Sequence, residues 1–189
     1  MKTSLILGAG RLGGTLAKRL AELGSAVTVR VPNPEDEKYQ GLRSTDGVTV
    51  ISTEDAPPDT DLTFIATPWQ ATEDALAKVG ERRGGIVIDC TNPVSYGQSG
   101  MTLAIDGNTS AAETIRDWLP GSVVVKAFNQ VGSDILAQPT MLSPAPICGV
   151  CSDDDTAKSA IMNLAEQLGF DAIDAGGLGI ARLLESYAL

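Results

Sequence analysis

The chain has 189 residues, of which 43% are apolar and 20% charged, as in soluble globular domains that are long enough to bury a full core. Its formal net charge of −10 argues against nucleic acid or an anionic membrane as a partner. No run approaches the roughly 18 apolar residues of a membrane helix, and no signal-peptide pattern opens the sequence, so we expect a cytoplasmic protein. With no histidine and three cysteines, the chain offers too few ligands for a zinc site, and we predict no bound metal.

A glycine-rich turn follows the first apolar run. Residues 4–7 predict a buried strand, and leucines recur at helical spacing over residues 12–23. Between them, residues 8–13 read G-A-G-R-L-G: the first glycine allows a tight turn, the second allows a diphosphate to approach, and the third allows close helix–strand packing. Free amides and the helix dipole favour an anion there, so we predict a bound dinucleotide. The predicted contacts are Gly8, Gly10, Arg11, Leu12 and Gly13.

The rest of the chain alternates apolar runs with helical stretches, which predicts a parallel sheet with helices on both faces. Predicted strands cover residues 4–7, 26–30, 48–52, 62–66, 86–89, 123–127, 147–150 and 172–174. Predicted helices cover residues 12–23, 72–79, 111–118, 156–168 and 180–187. We therefore expect an α/β chain with a doubly wound Rossmann fold, a mostly parallel sheet and C-terminal helices. Residues 1–189 are predicted to form a single NADP-binding domain.

The second predicted strand ends in Arg30, where NAD-binding folds of this kind carry a carboxylate for the ribose 2′-hydroxyl. A carboxylate would repel a 2′-phosphate, whereas a guanidinium can bind one in a bidentate fork. The sequence therefore favours NADP(H), with Arg30 and Asn33 as predicted ligands of the 2′-phosphate. The alternative is that Arg30 is a solvated residue at the strand end.

Two predicted connections are long, over residues 32–47 and 91–109. Structureless loops of that length are usually functional or disordered. The second follows the carboxyl end of a strand, where doubly wound sheets bind ligands, and it carries apolar side chains. We predict that this segment is a lid or a docking surface. Its apolar residues are Val94, Tyr96, Met101, Leu103 and Ile105.

Several short motifs, in order along nearly the whole chain, are shared with one protein family. They are residues 8–13, Thr67-Pro68-Trp69, residues 89–93, Ala112-Glu113, residues 125–129, Asp174-Ala175-Gly176 and residues 181–185. On these motifs the chain resembles the NADPH-dependent deazaflavin (coenzyme F420) reductase family. The resemblance implies a Rossmann domain that binds NADP(H), with hydride exchange between the nicotinamide and a deazaflavin that lies over it.

Hydride transfer between two cofactors needs no nucleophile, so we predict positioning residues and no catalytic side chain. Thr67 and Pro68 follow the fourth predicted strand, where it should meet the nicotinamide ribose and the diphosphate. Asn92 and Pro93 follow the fifth strand at the same edge. For Thr67, the alternative is that the hydroxyl satisfies backbone groups of its own loop.

Two further residues are predicted to contact the cofactor. Asn129 follows the sixth strand and can hydrogen-bond the carboxamide or the acceptor ring, or instead satisfy loop backbone groups. Trp69 comes directly after Pro68 at the ligand edge. The alternative for Trp69, as for Trp118, is packing in a core.

The chain departs from the family pattern in two places. The family shows Gly, then Ser or Val, then Arg after the second strand, where this chain has Arg30-Val31-Pro32. Pro32 thus replaces the arginine expected to hold the 2′-phosphate, and Arg30 is the predicted substitute. Family members also continue with an apolar helical segment beyond the Leu184-Glu185 pair, whereas this sequence stops at Leu189.

Other motifs have a structural interpretation. Lys126 lies in an apolar strand and is predicted to form an ion pair with a carboxylate, the alternative being the ligand rim. Arg182 and Glu185, one helical turn apart, are predicted to form a surface pair. Cys148 and Cys151 form a C-x-x-C motif inside a strand, so we interpret both as structural thiols.

The sequence predicts an NADP(H)-dependent oxidoreductase that exchanges a hydride with a deazaflavin. Two alternatives stay open: a reductase of another acceptor (a flavin, an imine or a ferric complex), and a non-catalytic NADP(H)-binding module. The expected partners are a small-molecule redox acceptor and a second copy of the chain. The apolar residues Leu183, Leu184, Tyr187, Ala188 and Leu189 suit a helix that pairs with a second subunit, and related chains are commonly dimeric.

Overall fold

The computed structural model describes residues 2–79, 85–97, 100–105 and 107–188. The strands of this described part are β1 (Thr3–Leu7), β2 (Ala26–Val31), β3 (Val48–Ser52), β4 (Leu62–Ile65), β5 (Ile86–Asp89), β6 (Val94–Gly97), β7 (Gly100–Leu103), β8 (Val123–Lys126), β9 (Ile147–Cys151) and β10 (Asp171–Gly176). Eight of them form one sheet in the order β10-β9-β8-β5-β4-β1-β2-β3, and β6 pairs with β7 in a separate antiparallel hairpin.

The six strands from β8 to β3 are mutually parallel, as the alternation of strands and helices predicted. Strand β9 runs antiparallel to β8, with Lys126 opposite Cys151, and β10 is parallel to β9. The predicted fold class is confirmed: this is a Rossmann-like α/β fold with a mostly parallel sheet. The carboxyl ends of six strands therefore meet at one edge, where doubly wound sheets bind ligands.

The helices of the described residues are α1 (Arg11–Glu22), α2 (Gln40–Arg43), α3 (Thr72–Ala77), α4 (Ala111–Trp118), α5 (Ser133–Ala137), α6 (Asp155–Gln167) and α7 (Ala181–Tyr187). Five lie where the sequence predicts helices, whereas α2 and α5 were not predicted. With four and five residues, these two are too short to show a repeating apolar face. None of the helices in the described ranges is both long enough and apolar enough to cross a bilayer.

Strand alternation builds a core on each face of the sheet. In β1, Ile6 belongs to the core that α1, α5 and α6 cover, whereas Leu5 and Leu7 belong to the core that α3, α4 and α7 cover. Successive side chains of a strand point to opposite faces, so a strand buried on both sides is apolar throughout. This arrangement holds the strand ends rigidly and leaves the connecting residues at the carboxyl edge for ligand contacts.

Neither long connection is structureless. Residues 32–47 contain a 3₁₀ turn, Glu37–Tyr39, followed by α2. Residues 91–109 contain the β6–β7 hairpin, which begins next to the end of β5, and Gln70 Nε2 donates to the Val94 carbonyl at 2.7 Å. The side chain of Tyr96 and residues 98–99 and 106 lie outside the described part. A lid or docking role for this segment stays a prediction.

Candidate functional site

The glycine turn between β1 and α1 has the geometry that close approach of a diphosphate requires. Gly8 has a φ of +92°, which side chains rarely adopt, and its amide donates to the Arg30 carbonyl at 3.1 Å. A Cβ at Gly13 would lie 2.1 Å from the Gly8 oxygen, so only glycine lets α1 pack this close to β1. A Cβ at Gly10 would meet nothing within 4 Å, so this backbone faces open space.

The first turn of α1 presents free amides to that space. Gly10 is the N-cap, and the Gly14 amide donates to the Gly10 carbonyl at 2.9 Å, so the amides of Arg11, Leu12 and Gly13 precede the first helical hydrogen bond. No acidic residue stands in the first turn. The Arg11 side chain pairs with Asp134 on the surface at 3.0 Å, so its contribution to an anion site is its backbone amide. This cradle fits a diphosphate.

A cavity of about 200 Å³ adjoins the turn at the carboxyl edge of the sheet. It is lined by Leu7, Gly8, Arg30, Pro32, Thr53, Thr67, Ala71, Asp74, Ala75 and Lys78. The lining residues come from the ends of the first strands and from α3, beside the anion cradle. We therefore treat this cavity as the candidate adenosine site.

Arg30 lies in the wall of this cavity, but it is not the solvated residue of the alternative interpretation. The residue is 4% exposed, and its Nη2 donates to the carbonyls of Thr53 at 2.5 Å and Asp55 at 2.9 Å. The guanidinium therefore holds the connection after β3. Because its Nη2 is engaged there, it does not present two free donors to a phosphate. Its Nε has no hydrogen-bond partner among the described residues. The exposed Asn33 folds back on its own loop, where its Oδ1 accepts from the Glu35 amide at 3.3 Å.

Thr67, Pro68 and Trp69 form the turn after β4, as predicted, with different surroundings. Thr67 lines the cavity, and its hydroxyl lies 2.9 Å from that of Thr72. Pro68 is exposed. Trp69 stacks on Trp118, with ring centroids 5.4 Å apart and an interplanar angle of 16°. One face of the Trp69 ring is therefore covered by protein, which limits the predicted cofactor contact to the rest of the ring.

Asn92 and Asn129 are brought together at the ends of β5 and β8. Asn129 Nδ2 donates to Asn92 Oδ1 at 2.9 Å and to the Leu184 carbonyl at 3.0 Å, while Asn92 Nδ2 donates to the Asn129 carbonyl at 2.8 Å. Pro93 is buried next to this pair. Within the described ranges, Asn129 Oδ1 is buried without a donor, which costs about 1–3 kcal/mol. A ligand amide that reached it would satisfy it.

Phe128 sets the sharp turn that delivers Asn129. Its φ of 63° places a non-glycine residue in the left-handed region, a conformation that costs about 1–3 kcal/mol. The ring is fully buried and packs against Phe64 and Phe170, with centroids 6.4 Å away in both cases. Core packing therefore maintains a strained backbone beside the candidate site, an arrangement typical of functional positions.

Lys126 forms a buried ion network rather than reaching the ligand. Its Nζ lies 2.8 Å from Asp89 Oδ2, 2.8 Å from Glu185 Oε1 and 2.6 Å from the Thr91 carbonyl. The two Glu185 oxygens also accept from the Ala111 amide at the start of α4, each at 3.1 Å. The predicted ion pair of Lys126 is confirmed, with a second carboxylate added. The network ties the loop after β5 and the last helix to the end of β8.

Burial and charge act in opposite directions on this network. Burial by itself would lower the pKa of Lys126, but the carboxylates of Asp89 and Glu185 outweigh it and raise the pKa. Burial raises the pKa of Glu185, against the opposing effect of the Lys126 ammonium. The lysine therefore stays charged, and the carboxylates depend on it for compensation.

The predicted surface pair of Arg182 and Glu185 is wrong. Glu185 is 1% exposed, because its helix turns it inward to Lys126. Arg182 points the other way and donates to the carbonyls of Gly179 at 3.1 Å and Asn108 at 3.2 Å. The prediction used only the one-turn spacing of Arg182 and Glu185 within their helix. It did not consider that Lys126, in a buried strand, needed a carboxylate partner.

The sequence interpretation also missed the two charged residues that α3 brings to the cavity. Asp74 and Lys78 stand one helical turn apart at α3 and line the candidate adenosine site. The available signal was their spacing, directly after a strand end that already carried predicted contacts.

Cys148 and Cys151 lie in β9 and are buried free thiols, which agrees with their structural interpretation. Burial raises the pKa of Cys148 to about 11 and that of Cys151 to about 12. No group of three or more His, Cys, Asp or Glu side chains suited to a metal ion occurs in the described ranges.

We expect these thiols, and the buried Cys90, to react with a disulfide reagent such as DTNB only as fast as the protein opens. Burial also raises the pKa of Cys90 well above its usual value, so a reactive thiolate is disfavoured at all three positions. The measurement is the absorbance released with time in buffer and in denaturant. A rapid first equivalent in buffer would contradict the structural interpretation.

Comparison with known proteins identifies relatives of the chain. Residues 4–93 match the family described as NADP oxidoreductase, coenzyme F420-dependent. Over 184 residues, or 97% of its length, the chain is 27% identical to the metalloreductase STEAP3 of Rattus norvegicus, and it spans 36% of that protein. The matched family segment contains the glycine turn, the residues that line the cavity, and the Asn92-Pro93 pair.

Solved structures agree with the family match. A protein of Arthrobacter sp. FB24, described provisionally as an F420-dependent NADP reductase, superposes with a TM-score of 0.91 at 27% identity, covering 99% of this chain and 90% of that one. An imine reductase variant from Myxococcus stipitatus, in complex with NAD⁺, superposes with a TM-score of 0.70. That match covers 98% of this chain and 58% of the other, and at 17% identity it shows the fold alone. The resemblance drawn from the motifs is confirmed: over residues 4–93 the chain is similar to the coenzyme F420-dependent NADP oxidoreductases.

Proposed function

We propose that the chain is an NADP(H)-dependent oxidoreductase that transfers a hydride between NADP(H) and the deazaflavin coenzyme F420. The observation that carries the proposal is the cradle of free amides at the start of α1, open at Gly10 and adjoining the candidate adenosine cavity. The family match and the Arthrobacter structure support the choice of cofactors.

The residues of the chain have binding and positioning roles in this proposal. The amides of Arg11, Leu12 and Gly13 hold the diphosphate, and the strand ends at Thr67 and Asn92–Asn129 line the edge beyond it. When bound, the nicotinamide and the deazaflavin supply the hydride chemistry. The protein orients the two rings and excludes water, so no nucleophilic side chain is required.

Titration of the purified protein with NADPH and, separately, NADH, followed by fluorescence, tests the nucleotide site. We expect tighter binding of NADPH, because no carboxylate stands at the end of β2 to repel a 2′-phosphate. Equal affinities for NADPH and NADH would be compatible with the fold and the amide cradle, but they would contradict the proposed preference for NADP(H). Failure of both to bind would overturn the proposed function.

Arg30→Ala is expected to weaken NADPH binding by about 1–3 kcal/mol, because the cavity wall loses a buried cation whose Nε has no partner among the described residues. Affinities of the variant for NADPH and NADH provide the measurement, with thermal unfolding as a control for folding. A loss confined to NADPH supports contact with the 2′-phosphate. An equal loss for NADH would show that Arg30 only holds the connection after β3.

An acceptor screen with NADPH distinguishes the enzyme hypotheses. Oxidised coenzyme F420 is the acceptor that we expect to be reduced, which is followed by the loss of its visible absorbance. The metalloreductase relative makes a ferric complex the second acceptor to test, followed by a flavin and an imine. Tight NADPH binding without turnover of any acceptor would favour a non-catalytic binding module.

We also propose a homodimer in a cytoplasmic location. Leu183 is 66% exposed and Tyr187 is 81% exposed on α7, whereas Leu184 packs inward. Helix pairing would cover this apolar surface. Three free, buried cysteines support a reducing compartment. Sedimentation at micromolar concentration tests the dimer, and a monomer there would contradict it.

A further inference from the structure

The candidate adenosine cavity has an uneven set of charges. Arg30 already donates to two backbone carbonyls, and Lys78 Nζ lies 2.7 Å from Glu54 Oε1. The Asp74 carboxylate also lines the cavity, and it has no hydrogen bond or ion pair within the part of the chain that the structure describes. Among the described residues, the lining therefore offers one carboxylate without a partner. The two cations beside it are already engaged by backbone carbonyls and by Glu54.

The remaining walls suit a flat apolar ring. Leu7 and Pro32 stand at the ends of β1 and β2, while Ala71 and Ala75 face them from the α3 side. Small side chains on α3 keep the cavity open, and a slot with aliphatic walls and few polar groups is typical of sites that bind planar heterocycles. In such a slot, a single polar group determines which edge of the ring is accepted.

We propose that Asp74 selects adenine by accepting a hydrogen bond from its 6-amino group. This inference rests on the proposed NADP(H) site and names its base specificity. An ionised carboxylate accepts hydrogen bonds and donates none. It therefore favours a ring with an amino group at this edge and disfavours one with an oxo group, because two acceptors would then face each other.

The purine analogue of NADPH, which carries hydrogen in place of the 6-amino group, isolates this contact, because its N1 stays an unprotonated acceptor as in adenine. We compare its affinity with that of NADPH by fluorescence titration in the wild type and in Asp74→Asn, Asp74→Ala and Glu73→Gln. Glu73 is exposed, as Asp74 is, but it is not part of the cavity lining, so Glu73→Gln makes the same change of charge without touching the site. The ratio of the two affinities cancels any general effect of charge on the phosphates.

The wild type and Glu73→Gln are expected to bind the analogue about 10- to 100-fold more weakly than NADPH, the range for one charge-assisted hydrogen bond. In Asp74→Ala the ratio should fall to within about threefold of unity, since the acceptor is gone. Asp74→Asn should also reduce it, because a neutral amide oxygen accepts a weaker hydrogen bond than a carboxylate does. Circular dichroism verifies that the variants fold.

Two contrary results are distinguishable. If NADPH binds and the ratio is unchanged in both Asp74 variants, the assignment of Asp74 is overturned while the NADP(H) site stands. If the wild type binds neither nucleotide, the proposed function itself is overturned, and the inference with it.

Discussion

Gly13→Ala is expected to remove nucleotide binding and to destabilise the fold at the same time. The new Cβ would lie 2.1 Å from the Gly8 oxygen, so α1 must move away from β1. Overpacking of this kind costs about 1–3 kcal/mol of unfolding free energy. Displacing the amides of the first turn of α1 from the diphosphate would weaken binding by roughly a hundredfold. Denaturant unfolding and NADPH titration measure the two effects.

Gly14→Ala is the matched control for this prediction. Its Cβ would lie 3.9 Å from Leu42 Cδ1, an ordinary contact, and alanine is favoured over glycine inside a helix by about 0.5–1 kcal/mol. We therefore expect Gly14→Ala to be at least as stable as the wild type, with unchanged NADPH affinity. Normal NADPH binding by Gly13→Ala would show that the helix does not hold the diphosphate.

Lys126→Met is expected to lower the free energy of unfolding by about 3–5 kcal/mol, because it leaves Asp89 and Glu185 buried without a cation. The loss should depend on pH. Burial already raises the pKa of Glu185, and without the ammonium it rises further. A carboxyl group with a raised folded-state pKa contributes stability below its unfolded pKa and loses it as the pH rises. The deficit should therefore be larger at pH 8 than near pH 5.

Two comparisons make this prediction sharper. Lys78→Met removes an exposed partner of Glu54 and should change stability little. Adding Glu185→Gln to Lys126→Met removes one uncompensated charge, so the double variant should be more stable than Lys126→Met alone. Equal stability of Lys126→Met and wild type across this pH range would contradict the buried network.

The parts of the structure that the sequence predicted are those determined by short-range spacing. The strand, glycine turn and helix of residues 3–22 are contiguous, so their geometry follows from residue order. The hairpin of β6 and β7 was missed because its strands read V-S-Y-G and G-M-T-L and lack the continuous apolar run that marks the buried strands. The antiparallel direction of β9 was also missed, since it depends on how a distant connection crosses the sheet.

The candidate site was predicted less completely than the fold, for a related reason. Asn129 was identified by its position after a strand, but its partner at Leu184 is 55 residues away in sequence. Lys126 clearly needed a carboxylate, yet nothing in the sequence singles out Glu185 among the acidic residues. The burial of Arg30 is set by the connection after β3, which folds over its side chain. Long-range contacts of this kind are set by tertiary packing alone.

The attachment of α7 to the end of β8 has a consequence for synthesis of the chain. The glycine turn, the cavity and Asn92 are all encoded before residue 93, so they can assemble early on the ribosome. Lys126 and Asn129 gain their contacts with α7 only after Leu184 and Glu185 have emerged. Until then the nascent chain holds a buried lysine with one carboxylate fewer. The edge at Asn92 and Asn129, which the proposed function assigns to the nicotinamide, is therefore completed after the residues of the candidate adenosine cavity have been synthesised.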